Sequence, residues 1–311
     1  MSRKVEISTN ERKFVIESLK QGLRIDNNSP GSRKLDEIRI PSIRLSKTEY
    51  GYIELDWGQT KLAVRVSSKI VQPYEDRPFE GLFTINCEIS SMALAKFDNF
   101  SKSSQEVLIS RLIEKAIKRS NSLDLESLCI IAGEKVWSVI VDINFLNYDG
   151  NFIDSGCFGV MLALHHFKKP DISINDQQVI VHDLDERQPV PLSILHIPIC
   201  ISYSFFNRYA DLQTNIKGDL NDEIYVIDAN SSEESLSDGT LVVTLNKNRE
   251  LIQISKNGGL PIDANILMEL SLKAMGIVET LTQLMKDILA KHEKERYEEM
   301  NLKMLEAGAD R

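Results

Sequence analysis

From Asp36 to Glu88 apolar and polar residues alternate through IRIPSIRL, YIELDW, KLAVRVSSKIV and LFTINCEI, and from Ser103 to Arg119 the period lengthens to that of a helix. Alternation with period two sends successive side chains to opposite faces of a sheet, so these runs specify about four strands, expected antiparallel and covered on one face. The change of period supplies the cover. Ser127–Ala132 and Lys135–Tyr148 then read as a hairpin about Gly133-Glu134, and Asp154–His166 as an apolar helix entered through the Asp149-Gly150 turn. Upstream, Thr9-Asn10 precedes an amphipathic stretch, Arg12–Leu19, with Phe14, Val15, Ser18 and Leu19 on one side. A polar, turn-rich segment, Asp26–Ser32, follows.

Pro170, Pro189 and Pro191, with the polar run His182–Gln188, mark a crossover between an N-terminal lobe, 1–189, and a C-terminal lobe, 190–291. In the second lobe Ile194–Phe206, Glu223–Asp228, Gly239–Leu245 and Leu251–Ser255 read as strands, with a helical turn near Ser232–Leu236. A long helix, Asp263–Lys291, puts Leu267, Leu270, Ala274, Ile277, Leu281, Leu284 and Ile288 on one stripe. The charged tail 292–311 is expected to fray. Both lobes follow strands with helix, so the fold class is α+β, mixed or antiparallel sheets covered by helices.

With 42% apolar residues in 311, the chain has material for one large core or two smaller ones. No apolar run approaches membrane-spanning length and no leader-like segment opens the chain, so a soluble intracellular protein is expected; Asn27, Asn99 and Asn230 sit in sequons that then carry no meaning. Cys87, Cys129, Cys157 and Cys200 form no CxxC and read as buried thiols. The net charge of −9 opposes nucleic-acid binding on its face, but seven carboxylates between Asp219 and Asp238, without Lys or Arg, leave only −2 for the rest. A basic surface elsewhere is compatible with that balance.

The turn within Trp137–Gly156 runs from strand to helix, the arrangement that receives anions on backbone amides, yet it continues Asn151-Phe152-Ile153 without a cation. In the helix before it Arg111, Lys115, Lys118 and Arg119 share one face, opposite Ile109, Leu112, Ile113, Ala116 and Ile117. That face is either solvated charge or a stripe that tracks the phosphates of a single strand. Gln72–Gly81 is bounded by prolines and presents Tyr74, Arg77 and Phe79, either as a docking surface or as a plain connection. Asp183/Asp185 and Glu233/Glu234 lie in polar connections and read as solvated; His165-His166, His182 and His196 lack metal-ligand spacing. P-loop, GxGxxG and GxSxG motifs are absent. An acidic scaffold that binds proteins only is the reading without chemistry.

Six blocks in order, QPYEDRPFEG, SRLIEKAIKRS leading into LDLESLCIIAGEKVW, VDINFLNYDGNFIDSG, HFKKPDI, HIPICISYSFFN and TLNKNRE with ISKNGGLP, resemble the RNase PH family, and within it the ring subunits of the eukaryotic RNA exosome. The resemblance runs from about Val5 to Leu289. It implies two βα lobes in a hetero-oligomeric ring that threads single-stranded RNA, without cofactor or metal. It further implies other RNase PH-like subunits, cap subunits with RNA-binding domains and associated nucleases as partners, in the nucleus, nucleolus and cytoplasm. Active members of the family shorten RNA from its 3′ end with phosphate. Where they carry an arginine before the pore-facing helix, this chain has Ser104 and Gln105; where they carry a Gly-Thr/Ser-Arg turn, it has Asn151, Phe152 and Ile153; where they carry acids in the second lobe, it has Ile201 to Phe206. The resemblance therefore implies a non-catalytic subunit whose Arg111, Lys115, Lys118 and Arg119 line an RNA path, and the alternative is a phosphorolytic site shared with a neighbour. Leu23-Arg24-Ile25-Asp26-Asn27-Asn28 departs from the family's Arg-x-Asp-Gly-Arg element, which leaves Arg24 as a candidate inter-subunit contact.

Overall fold

The computed structural model describes residues 8–25, 33–93, 104–175, 178–183, 186–207 and 223–309. Helix α1 (Thr9–Lys20) is capped by Ser8, whose Oγ accepts from the Glu11 N–H at 3.2 Å. It buries Val15, Ile16 and Leu19 and leaves Phe14 exposed, so the apolar stripe is rotated from the expected one. The alternating runs form β1 (Pro41–Leu45), β2 (Tyr52–Trp57), β3 (Thr60–Val71) and β4 (Leu82–Ile89). After α2 (Ser104–Lys118), β5 (Cys129–Ile131) and β6 (Lys135–Asn147) make the expected hairpin.

These strands assemble in the order β1-β2-β3-β6-β4, with β5 pairing β6. The first three are antiparallel as expected, but β4 does not pair with β3: β6 inserts between them and runs parallel to β4, with Leu82 opposite Ser138 and Ile89 opposite Phe145. Alternation fixes which face of a strand is covered and carries no information about its neighbour. The connection from β4 through α2 is long enough for a parallel crossover, which sequence period alone does not reveal.

Helix α3 (Phe152–His166) is buried almost all round, as the apolar run Cys157–Leu164 that makes up most of it requires. It packs on β2 and β3, on α2 and on the second lobe. Gly159 makes the approach to the first sheet possible, because a Cβ there would lie 2.9 Å from Leu62 and 3.2 Å from Val64. Three of the four cysteines, Cys87, Cys157 and Cys200, are buried and Cys129 is half-buried; all are free thiols. The crossover holds short pairings that polar composition concealed: β7 (Lys168–Lys169) with β10 (Val190–Pro191), and a hairpin of β8 (Ile172–Asn175) and β9 (Gln178–Val181).

The second sheet is antiparallel throughout, in the order β12 (Glu223–Ile227), β11 (Ile199–Asn207), β13 (Gly239–Leu245) and β14 (Leu251–Gly258). Helix α4 (Ser231–Leu236) follows β12 and packs on β11. Helix α5 (Ala264–Ala309) covers β11 and β13 through Leu270, Ala274, Val278, Leu281 and Met285. It does not stop near Lys291: the tail expected to fray continues the helix, because His292 and Arg296 find partners on the first lobe. No helix of the described residues is long and apolar enough to cross a membrane. Core residues from both sheets, α2, α3 and α5 form one contiguous cluster.

The lobes also meet at the turn into α3. Gly150 has φ +77°, and a Cβ there would sit 2.3 Å from the Ala229 carbonyl oxygen in the second lobe. Gly150→Ala should therefore cost at least about 2 kcal/mol in urea denaturation, whereas Gly133→Ala, at a similar φ but with open space around it, should cost about 1 kcal/mol. Equal losses would show that the turn does not bear on the second lobe.

Candidate nucleic-acid interface

The strand-to-helix turn that the sequence marks as an anion site is occupied from within. Asn151 caps α3 in the left-handed region, at φ 60°, and its backbone N–H donates to Glu234 Oε2 at 3.2 Å. Tyr148 Oη donates to the same oxygen at 2.8 Å. Burial pushes the Glu234 carboxyl up, with the Tyr148 and Asn151 hydrogen bonds opposing, and burial is also the main reason the Tyr148 hydroxyl is held far above its ordinary range. The negative group that a helix N-terminus favours is thus a side chain of the second lobe.

Beside it lies Asp228, with 0% of its surface exposed. Its two oxygens accept from Arg39 Nη2 (2.8 Å), Nε (2.9 Å) and backbone N–H (2.8 Å), from Arg33 Nη1 (3.1 Å) and from Asn151 Nδ2 (2.5 Å). Burial pushes this carboxyl up, but the Arg39 hydrogen bonds and charge more than offset it, so it lies below the ordinary carboxylate range. Arg39 reaches on to Asp149, joining the turn to the hub. Arg24, expected as an inter-subunit contact, is instead buried within the chain: it donates to Glu233 Oε2 at 2.7 Å and Oε1 at 3.1 Å, and to the Ile227 and Asp228 carbonyls. Glu233 is buried and Glu234 is half-buried, so neither is the solvated loop residue expected from composition. The signal for Glu233 was legible in its spacing from Asn230, because Asn230 and Glu233 form a capping box on α4. Arg33 and Arg39 gave none.

Asp154, on the first turn of α3, is 2% exposed, and its Oδ2 accepts from the Ser202 N–H at 2.8 Å and Ser202 Oγ at 2.9 Å. Ser202 Oγ also lies 2.9 Å from Asn151 Oδ1. Burial raises the Asp154 carboxyl to about 7 against the Ser202 hydrogen bonds, and Asp228 raises it further. Ser202 belongs to β11, the strand from Ile199 to Asn207, which contains no carboxylate. Gln105 is exposed on the first turn of α2, and the side chain of Ser104 lies outside the described residues. Asp154 is therefore the one carboxylate close to the turn on α3 itself, held by β11 rather than facing an opening.

The four cations of α2 and the turn that ends it divide into two pairs. Ile113, Ala116 and Ile117 anchor the opposite face in the core at 0% exposure. Arg111 pairs with Glu114 at 2.8 Å, and Lys118 lies 3.7 Å from the same carboxylate. Lys115 and Arg119 have no carboxylate at ion-pair distance among the described residues and point into a cleft of about 510 Å³. His196 and Asn246 line it, together with the consecutive residues Glu250 to Ser255. Because residues from both faces of β14 take part, this wall is the strand's edge. Tyr74, Arg77 and Phe79 are exposed on the β3–β4 connection, with Arg77 paired to Glu80 at 2.9 Å. The Pro78 and Gly81 backbone bonds tie that connection to Gly133 and Leu125, at the end of the sheet where α2 finishes, but none of its residues lines the cleft. No group of three metal-binding side chains occurs among the described residues.

Residues 37–170 match the 3′ exoribonuclease family, domain 1, and residues 196–276 match domain 2 of the same family. The chain belongs to the RNase PH family. It is 50% identical over 297 residues to the exosome complex component RRP45 of Saccharomyces cerevisiae, covering 95% of each chain, and 42% identical to the Schizosaccharomyces pombe protein of that name, covering 93% of each. Among solved structures, a chain of the Archaeoglobus fulgidus exosome with RNA bound to the active site superposes with a TM-score of 0.71 at 25% identity, over 88% of this chain and 97% of that one. The two RNase PH domains map onto the two sheets, and the closed turn lies between them.

Because folded Asp154 keeps its proton to about pH 7 and the unfolded group releases it near 3.8, the folded state binds more protons in that window and this group's contribution to stability falls as pH rises through it. Asp154→Asn should therefore gain on the parent by roughly 2 kcal/mol between about pH 5.5 and about pH 8, by urea denaturation. A difference that does not change with pH would show that Asp154 is ionised throughout.

Proposed function

We propose that this RNase PH-family chain is a non-catalytic, RNA-binding subunit of an exosome-type ring, which supports 3′-to-5′ RNA processing and turnover by guiding single-stranded RNA to other subunits. Its partners in this reading are neighbouring RNase PH-like subunits, cap subunits and associated nucleases, in nucleus, nucleolus and cytoplasm. The observation that carries the reading is the turn at α3, where Asn151 stands in place of a cation and Glu234 and Asp228 hold the donors that a phosphate would need. Phosphorolysis brings a phosphate dianion against an RNA phosphodiester, so the reacting centre must supply preorganised positive charge. Here the buried arginines Arg33 and Arg39 are already committed to Asp228.

The names of the relatives, exosome complex component RRP45, support assembly into such a complex. Lys115 and Arg119 support the RNA contact, since they are the cations of this face without a carboxylate partner among the described residues and they flank a cleft with room for part of an extended strand. Arg111 and Lys118, neutralised by Glu114, contribute less.

The test is crosslinking of end-labelled single-stranded RNA to this chain in the reconstituted ring. Lys115→Glu with Arg119→Glu should lower crosslinking about tenfold or more, while Arg111→Glu, which leaves two acidic groups together, should act mainly through repulsion and by less. Unchanged crosslinking in the double variant would remove α2 from the RNA path. Phosphate-dependent release of nucleoside diphosphates that is lost on Asp154→Asn would contradict the non-catalytic assignment.

A further inference from the structure

Beyond the second family domain, which ends at residue 276, helix α5 continues without a break and returns to the first lobe. Its contacts there follow helical spacing. His292 packs edge-on against His166, the last residue of α3, with ring centroids 5.0 Å apart. One turn later the Arg296 guanidinium lies 3.8 Å from the centre of the Tyr50 ring, and Tyr50 is itself 6.0 Å from the His166 ring. Glu293 pairs with Lys168 at 2.9 Å and Glu299 with Lys47 at 2.5 Å.

The chemistry at the centre of this contact requires uncharged imidazoles. His166 and His292 are 5% and 8% exposed, and the Nε2 atom of each is buried without a hydrogen-bond partner. The Gly51 N–H donates to His166 Nδ1 at 3.1 Å, which makes Nδ1 an acceptor and places the ring proton on Nε2. A second proton on His166 would have to sit on Nδ1, against the Gly51 N–H. The resulting imidazolium would also face His292, Arg296 and Lys168, with Glu293 the opposing charge; His292 in turn faces Arg296 and Lys47, with Glu295 and Glu299 opposing. On the neighbouring residue, His165, the Lys286 ammonium of α5 adds to the same repulsion.

We propose that the C-terminal extension of α5, from His292 to Glu299, is a proton-sensitive strap that holds the long helix onto the first lobe while the His166–His292 pair is neutral and lifts when that pair becomes charged. Burial, then the charges of His292, Arg296 and Lys168, lower His166 from 6.5 to about 4, and burial, then Arg296, lowers His292. A group whose pKa is lower in the closed form binds fewer protons there, so acid favours opening as pH falls from 6.5 towards 4. From His166 alone the opening constant rises about tenfold between pH 8 and pH 5.5. The exposed ion pairs with Lys47 and Lys168 steer the strap but do not replace the aromatic contact.

Native-state hydrogen exchange of the full chain, corrected for the intrinsic pH dependence of exchange, tests this. Amides of 292–299 should lose about tenfold or more in protection between pH 8 and pH 5.5, while amides of β3 and β6 keep theirs. His292→Phe preserves the ring contact and removes one titrating group, so its protection at pH 8 should match the parent and its loss at pH 5.5 should be smaller. Arg296→Gln, which removes a facing charge without touching either imidazole, should also shrink the loss and covers the case in which the first variant does not fold. Protection that is independent of pH, a loss of the same size in both variants as in the parent, or a loss shared by β3 and β6 would each overturn the proposal.

Discussion

The carboxylate of Asp228 is the group on which the arrangement of the two lobes depends. It leaves β12 at a left-handed residue, φ 53°, and collects Arg33, Arg39 and Asn151 from the other lobe and from the segment that precedes it. An ionised carboxyl with no exposed surface is sustained only when charge and hydrogen bonds surround it, and five donors do so here. Removing one partner of such a hub leaves the others buried and unpaired, so the site tolerates little change. The Arg24–Glu233 pair extends the same network to the segment that follows α1.

That network also determines what the turn into α3 is unable to do. A helix N-terminus with a left-handed cap is suited to a phosphate, and in this chain the position is taken by Glu234 and hydrogen-bonded to Tyr148. A structural carboxylate at this point rigidifies the lobe interface at the expense of an anion site. The α2-face cations without a carboxylate partner among the described residues, Lys115 and Arg119, lie at the far end of α2 and face the edge of β14. The separation of a buried, internally neutralised centre from an exposed cationic cleft is the feature of this RNase PH-family fold on which the proposed non-catalytic, RNA-guiding role rests.

Much of this was legible in the sequence. Period-two and period-3.6 patterns located the strands, α2, α3 and the start of α5, because burial of one face imposes them directly. The parallel placement of β4 beside β6 was not legible, since a strand's pattern is the same whichever neighbour it takes. Glu233 and Glu234 read as solvated because composition counts charges and not their partners; Arg24, Arg33 and Arg39 lie some two hundred residues away from Glu233 and Asp228, which they neutralise. The tail was misread for a related reason, as its composition is charged while His292 and the Arg296 guanidinium pack on the His166 and Tyr50 rings of the first lobe. Helical spacing puts Arg111, Lys115, Lys118 and Arg119 on one face, but only Lys115 and Arg119 line the cleft, and Glu114 on that face pairs with the other two.

The most direct measurement of the central claim is equilibrium binding of inorganic phosphate to the purified full chain by titration calorimetry at neutral pH. With Glu234 and Asp228 holding the donors at the turn, the account predicts no saturable heat up to about 10 mM phosphate, the range in which a dissociation constant near 1 mM would be evident. One phosphate per chain, bound saturably and lost in Asn151→Asp, would contradict it.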